Sequence, residues 1–387
     1  MKVLKSLHSW MFGFGSPVTI GVVRMIVGTL ALINLAMVAV DFEAWFTERG
    51  YYPIELLDHW YSDFSKISLL QNVTNDSVTA LFYGLTMLAA LMTALGLFSR
   101  VSTVALLVGL VSIHHRSPEI LNSGDTLLRA MVFYVALSPS GDACSIDRLI
   151  KLWRGTVERV HREVSLWPQR MMQIQLAIMY FTTVWLKSFG DWWLDGTATW
   201  YVPQLQEFDR FPTPAWIDQP PFLQMSTYGS LFIEVSLATL VFYRPTRKAV
   251  LLLGLGLHAV IEYRFNIPLF GLIVTACYIS HYEGHELTAW AERIGKRLKK
   301  IRLNVSLPVG LTVKDGPALA LQATDPFQLV SYRSGEGDDW AAADERGRQK
   351  NWALSSLSRS IGAWPLLLCP PLWKSILSRA VHPKEES

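Results

Sequence analysis

Charge is scarce in this chain. Only 17% of its 387 residues are Asp, Glu, Lys or Arg, against about 25% in an ordinary soluble protein. The net charge of +3 is too small to draw the chain onto a polyanion, so nucleic acid is not an expected partner. Cysteine is also rare. Cys144, Cys277 and Cys369 stand far apart and in no CxxC or Cys/His spacing, which leaves neither a disulfide framework nor a zinc site, and no metal ligand set is expected. His258 has no second histidine four residues on, which excludes a metalloprotease helix.

Apolar sequence is abundant instead, at 51% hydrophobic residues. From about residue 18 to 281 it falls into runs long enough to cross a bilayer, which needs about 20 residues of helix. The fold class expected is an all-α integral membrane protein with about eight transmembrane helices. They lie near 18–40, 78–97, 101–117, 125–140, 171–188, 225–243, 249–265 and 267–281, the last two open to being one re-entrant pair joined at "EYRFNIP". The first span begins with positive charge but exceeds a signal peptide's apolar region and lacks an A-x-A-like site, so it reads as uncleaved. Residues 4–12, "LKSLHSWMF", read as an interfacial helix with Trp10 at headgroup level.

Lys and Arg alternate between loops as the positive-inside rule requires. Arg148, Lys151, Arg154, Arg159, Arg162 and Arg170 crowd one connection, Arg244, Arg247 and Lys248 another, and "ERIGKRLKKIR" follows the last span. The loops 41–77 and 189–224 are acidic and rich in Trp and Tyr, with few basic residues. Both termini are therefore expected in the cytoplasm and these two loops outside. Asn72 and Asn75 each begin an N-x-[ST] sequon in an outer loop. Residues 1–282 form the membrane domain of this reading. Residues 283–387 form a short, loosely structured polar tail, in which "LNVSLPVGLTV" alternates like a strand, "GEGDDWAAADERGRQ" reads as a linker and "WPLLLCPPLW" as an apolar patch broken by prolines.

Ionisable groups within spans mark cavities or partners, because hydrocarbon offers them nothing. They are Arg24, Asp125, Arg129, Lys187, Glu234, His258 and Glu262, with His114, His115 and Arg116 at the outer end of the third span. Asp125 and Arg129 share a helical face and suit an internal ion pair. Arg24 and Glu234 are a plausible pair between spans. His258 suits either a hydrogen bond to a neighbouring helix or a ligand, and "HHR" at 114–116 suits headgroup binding or a carboxylate site. Lys187 ends the run in "TTVWLKSFGDWW". It either snorkels to the interface or lies among Trp185, Trp192 and Trp193, where desolvation favours a neutral amine able to act as general base.

"FEAWFTERGYYP", "LGLFSRVSTVALLVGLVSIHHRSPEILNSGDTLLR", "LSPSGDACSIDRL", "TTVWLKSFGDWWLDG" and "LHAVIEYRFNIPLFGLIVTACYI" together resemble the vitamin K-dependent gamma-carboxylase-like, horizontally transferred transmembrane (HTTM) family. The resemblance spans roughly residues 18–285. In the animal carboxylase a lysine deprotonates vitamin K hydroquinone on the lumenal side, and its pattern of lysine, three residues, Asp-Trp is met here by Lys187, Asp191 and Trp192. Gly124 and Asp125 stand near the position of a functional histidine in the carboxylase, and its long propeptide-binding region has no match, so glutamate carboxylation is not expected. The resemblance implies catalytic Lys187 and Asp191, the latter orienting the former. Trp185, Trp192, Trp193, His114, His115, Arg116 and His258 are the candidate substrate contacts. A vitamin K-like quinol, or another lipid-like molecule of a bacterial cytoplasmic membrane, would be the substrate. The alternative is a non-catalytic membrane protein serving immunity, assembly or structure.

Overall fold

In a computed structural model the chain is described over residues 2–60, 67–201, 204–206, 208–212, 214–297, 303–307, 314–328, 330–334, 340–343 and 349–352. It is mostly helical. Helix α1 (Lys2–Phe12) is the expected amphipathic N-terminal helix, and β1 (Phe14–Gly15) follows it. Then come α2 (Val18–Val38), α3 (Phe42–Phe46), α4 (Ile54–Trp60), α5 (Asp76–Leu95), α6 (Ser99–Arg116), α7 (Ser123–Ala136) and α8 (Ile146–Trp153). Strand β2 (Val164–Ser165) pairs antiparallel with β1 and ties the N-terminus to the entry of α9 (Trp167–Lys187). The short α10 (Asp191–Leu194) and α11 (Ala198–Tyr201) precede α12 (Pro220–Ala238), α13 (Arg244–Arg264) and α14 (Phe270–Cys277).

Local chemistry fixes where these helices start and stop. Asn75 caps α5 by accepting from the Ser77 and Val78 amides at 2.9 and 3.3 Å, so one of the two sequon asparagines has its side chain engaged in a helix start. Gly96 closes the same helix in the left-handed region, φ 68°, as glycine permits. Asn122 and Asp125 form a capping box at α7. Proline occupies the first turn of α9, α12 and α13, where its missing N–H costs nothing.

The long helices pack as two linked groups. Helices α2, α5, α6 and α7 adjoin in sequence, as do α9, α12, α13 and α14, and α7 and α2 join the groups through α9 and α14. The core runs through α2, α5, α6, α7 and α14. Beside this apolar core, Thr19, Arg24, Thr93 and Thr103 are also buried, whereas Leu81, Leu85, Leu88 and Leu91 form an exposed row on α5.

Two stretches, Val18–Phe46 and Asp76–Leu95, are long and apolar enough to cross a bilayer by length and composition, not the eight expected. Each other expected span does coincide with a helix, and three of them show why they fall short. Helix α7 has 14 residues and is about 21 Å long. Phe270–His281 reaches only about 18 Å. In α13 basic residues at one end and Glu262 and Arg264 at the other leave residues 249–261 as its uncharged centre.

Some described residues of the tail are regular and include strands, so the chain is mostly helical and not all-α. Helix α15 (Gly284–Arg297), β3 (Leu303–Leu307), α16 (Gly316–Ala323), β4 (Val330–Ser334), β5 (Trp340–Ala343) and β6 (Gln349–Trp352) follow the bundle. The sheet order is β4-β3-β5-β6, with β3 parallel to β4 and the other pairs antiparallel. Strand β3 is the alternating segment read from the sequence, whereas β5 replaces part of the expected linker, since its backbone pairs on both sides. Helix α16 joins the parallel strands and packs on α8. Gly316 is required there: a Cβ would come within 2.4 Å of the Trp153 carbonyl oxygen. Residues 335–339 and 344–348, Cys369 and the "WPLLLCPPLW" segment lie outside the described residues.

Candidate functional site

Four elements of the second helix group bring their polar side chains together. Tyr180 and Lys187 are seven residues apart on α9, about 10 Å along one face. Glu234 comes from α12, His258 from α13 and Tyr278 from the turn after α14. Lys187 Nζ donates to both oxygens of Glu234, at 2.7 and 2.8 Å. The Lys187 side chain is 20% exposed and that of Glu234 9%, so this is a largely desolvated pair.

The pair is roofed by Trp193. Helix α9 ends at Lys187, and the Gly190 amide donates to the Lys187 carbonyl at 3.0 Å. That tight turn folds α10 back until the Trp193 ring lies 4.3 Å from Lys187 Nζ, within cation–π range. A Cβ at Gly190 would crowd Trp193 Cδ1 at 3.2 Å.

Beneath the pair runs a buried hydrogen-bond chain. Tyr180 Oη is 2.8 Å from His258 Nε2 and 2.5 Å from Tyr278 Oη. The Tyr278 hydroxyl has room because residue 254, one turn before His258, is glycine: a Cβ there would sit 2.6 Å from it. An ammonium, a carboxylate and a phenol–imidazole chain in a dry setting can bind a hydroxyl and move its proton.

The remaining sequence candidates are placed elsewhere. Asp191 is exposed at the first position of α10; among the described residues Glu234, not Asp191, is the carboxylate on Lys187, because the turn at Gly190 carries Asp191 outward. Trp185 is 57% exposed against Phe189, and Trp192 is 54% exposed and stacked 4.1 Å from Tyr201. Of the three tryptophans, Trp193 alone makes the cation–π contact with Lys187. His115 Nδ1 accepts from the Ile67 amide at 3.0 Å. Arg116, 1% exposed, donates to the Tyr52 carbonyl at 2.7 Å and meets Glu48 at 3.4 Å. These two residues fasten Glu48, Tyr52 and Ile67 to α6. His114 is buried and, with Asn34, Tyr83 and Asp125, lines a separate void of about 10 Å³, the size of one water.

The anticipated ion pairs are also rearranged. Arg24 is fully buried and donates to the carbonyls of Ser140, Thr93, Ala94 and Cys144, binding backbone where Glu234 was expected. Asp125 accepts from Asn34 Nδ2 and the Asn122 amide, both at 2.8 Å, and Arg129 turns to Thr126 at 3.4 Å. Tyr180 and Tyr278 escaped sequence reasoning altogether. The heptad spacing of Tyr180 to Lys187 and the glycine four residues before His258 are the signals that could have found them.

A family model described as the HTTM domain matches residues 15–283. The chain belongs to the HTTM domain family. No curated protein and no solved structure matches it. The HTTM region includes every member of the Lys187–Glu234 cluster and stops where α15 begins, leaving α15, α16 and the four-stranded sheet outside the family domain. HTTM membership and the two long apolar helices make this a membrane-associated protein.

Proposed function

We propose that this HTTM protein spans the membrane with about eight helices and uses Lys187 as the proton acceptor for a quinol or similar lipid-phase hydroxyl compound. The observation that carries the reading is the Lys187–Glu234 pair, bonded at 2.7 and 2.8 Å, roofed by Trp193 and set above the Tyr278–Tyr180–His258 chain. Spanning is supported by the exposed apolar faces and buried polar interior, and by the coincidence of a helix with each apolar run. Lys and Arg distribution favours cytoplasmic termini and an outward-facing end of α9.

The chemistry follows from low polarity. Charged and neutral forms of a close Lys–Glu pair approach one another in energy when both ions are desolvated. Lys187 passes a proton to Glu234 along their hydrogen bond and becomes a neutral amine. The amine then takes the proton of the bound hydroxyl, leaving an oxyanion beside the restored ammonium, which stabilises it. Trp193 excludes water from the exchange.

A second reading is a non-catalytic membrane protein in which the same pair clips α9 to α12. The two separate on what the protein carries. Purified from detergent extracts, the wild type should retain a lipid quinone near one per chain, and the Trp193→Ala variant much less. A wild type free of quinone, with no uptake of added menaquinone, would leave the clip as the better account.

A further inference from the structure

Helix α1 stands away from the bundle over most of its length. Residues 4–9 are all exposed, Leu4 and Leu7 at 71% and 57%. The fastening is at its C-terminal end. There the Trp10 ring meets Phe242 edge-on at 6.0 Å, Arg170 lies over the same ring at 5.2 Å, and Arg170 Nε donates to the Trp10 carbonyl at 3.2 Å. The Leu166 amide donates to the Gly13 carbonyl at 2.9 Å, and β1 pairs with β2 just beyond. The 11 residues of α1 are fewer than the roughly 12–15 at which an isolated helix becomes even marginally stable in water. Its free turns call for a surface to lie on.

The side chains say which surface. Leu4, Leu7 and Met11 recur at i, i+3 and i+7 and share one face, with Ser6 and Ser9 opposite. Apolar exposure continues at the fastened end, where Phe14 is 68% and Tyr243 62% exposed beside the Trp10–Phe242 contact. Basic residues flank this strip. Lys5 lies on α1, Arg159 and Arg162 on the approach to β2, and Arg244 and Lys248 at the start of α13, directly after Phe242; all five are exposed. The exposed acids of the same segments are Glu158 and Glu163, so positive charge is in excess. The stretch from Val18, long and apolar enough to cross a bilayer, begins six residues after α1 ends at Phe12. That places α1 where this stretch would enter the membrane.

We infer that α1 is a foot that lies flat on the bilayer and binds anionic phospholipid headgroups. Leu4, Leu7 and Met11 dip into the acyl boundary, and Lys5, Arg162, Arg244 and Lys248 pair with headgroup phosphates. An apolar helix face alone would also suit a second copy of the chain; the flanking basic groups single out negatively charged lipid. The inference concerns a surface apart from the Lys187–Glu234 pair and rests on the reading that α2 crosses the bilayer.

The test uses the full chain, with native cysteines replaced by serine, in nanodiscs of phosphatidylcholine alone or mixed with phosphatidylglycerol. Spin labels are attached through Leu7→Cys, Ser9→Cys or, on the exposed row of α5, Leu85→Cys. Collision with oxygen, which concentrates in lipid, is compared with collision with a water-soluble nickel chelate. In the mixed discs the label at 7 should favour oxygen and the label at 9 the chelate. In the Leu7→Cys background, Lys5→Gln and Arg162→Gln should each lower the docked-to-free ratio about fivefold, the worth of one basic residue at an anionic surface. Removing phosphatidylglycerol should lower it at least as far. The label at 85 should favour oxygen in both kinds of disc. Chelate exposure at 85 would refute spanning and the foot with it, whereas oxygen at 85 with chelate at 7 would refute the foot alone. Equal docking in the two lipids, or spin–spin broadening between labels at 7 on two chains, would also overturn the assignment.

Discussion

Replacing Glu234 by Gln preserves shape and removes one charge. Lys187 then keeps a single neutral acceptor where it had two carboxylate oxygens at 2.7 and 2.8 Å. Breaking a buried pair by altering one partner costs about 3–5 kcal/mol, because the other charge stays behind unpaired. Lys187 is 20% exposed, which moves the expected loss to the low end, about 3 kcal/mol. The retained amide acceptor and the Trp193 ring offset part of it, leaving about 2 kcal/mol. The assay is unfolding in mixed SDS–dodecylmaltoside micelles, read as the shift in free energy at matched SDS fraction. A cycle is built from Lys187→Met, Glu234→Leu and the double variant Lys187→Met/Glu234→Leu. An apolar pair of similar volume should recover most of the stability while losing all proton chemistry. If Glu234→Gln unfolds like the wild type and the cycle is additive within about 0.5 kcal/mol, the pair is not the desolvated contact described above.

Three further outcomes are expected. Arg24→Leu leaves four interior carbonyls without their donor and should cost about 3 kcal/mol or more in the same unfolding assay; Arg24→Lys should lie between it and the wild type, and equality of the two variants would contradict the clamp. With native cysteines replaced by serine, Thr156→Cys should resist an impermeant maleimide in intact cells and Gln71→Cys should react, both positions being exposed; the opposite pattern would invert the orientation. Burial, reinforced by the Arg148 charge, holds the His161 imidazole below the ordinary histidine value. Its contribution to stability is therefore complete above the unfolded value of about 6.5 and is lost as pH falls towards the folded one. His161→Gln should flatten the stability profile below about pH 6.5, and an unchanged slope would show that other groups set it.

The helices were legible because apolar runs and their flanking charges are local signals: α2, α5, α6, α9, α12 and α13 each coincide with a run read from the sequence. Their status as spans was less legible, because charges at the ends of α13 and the brevity of α7 leave only two stretches that satisfy length and composition together. Lys187 stood out as a polar residue at the end of an apolar run, but its partner lies 47 residues away on another helix, and no spacing rule reaches that far. Arg24 misled for a related reason. Its partners are mostly carbonyls at the end of α5 and in the connection before α8, and backbone acceptors at helix ends have no residue signature. The three tryptophans looked equivalent until the turn at Gly190 separated Trp193 from Trp185 and Trp192. The tail's alternation at β3 was visible, whereas its parallel pairing with β4 depends on the crossover through α16.

The most direct measurement is single-turnover deprotonation of a menaquinol by the full chain in oxygen-free nanodiscs, followed by the absorbance of the quinolate anion, with Lys187→Ala and Lys187→Arg beside the wild type. Both variants should insert and bind the quinol. Loss of a positioned general base commonly costs about 10²–10⁴ in rate, so both should be slower by at least 10², with arginine unable to substitute because it does not give up its proton. Turnover of both variants at the wild-type rate, with the fold intact, would show that the Lys187–Glu234 pair only holds α9 against α12.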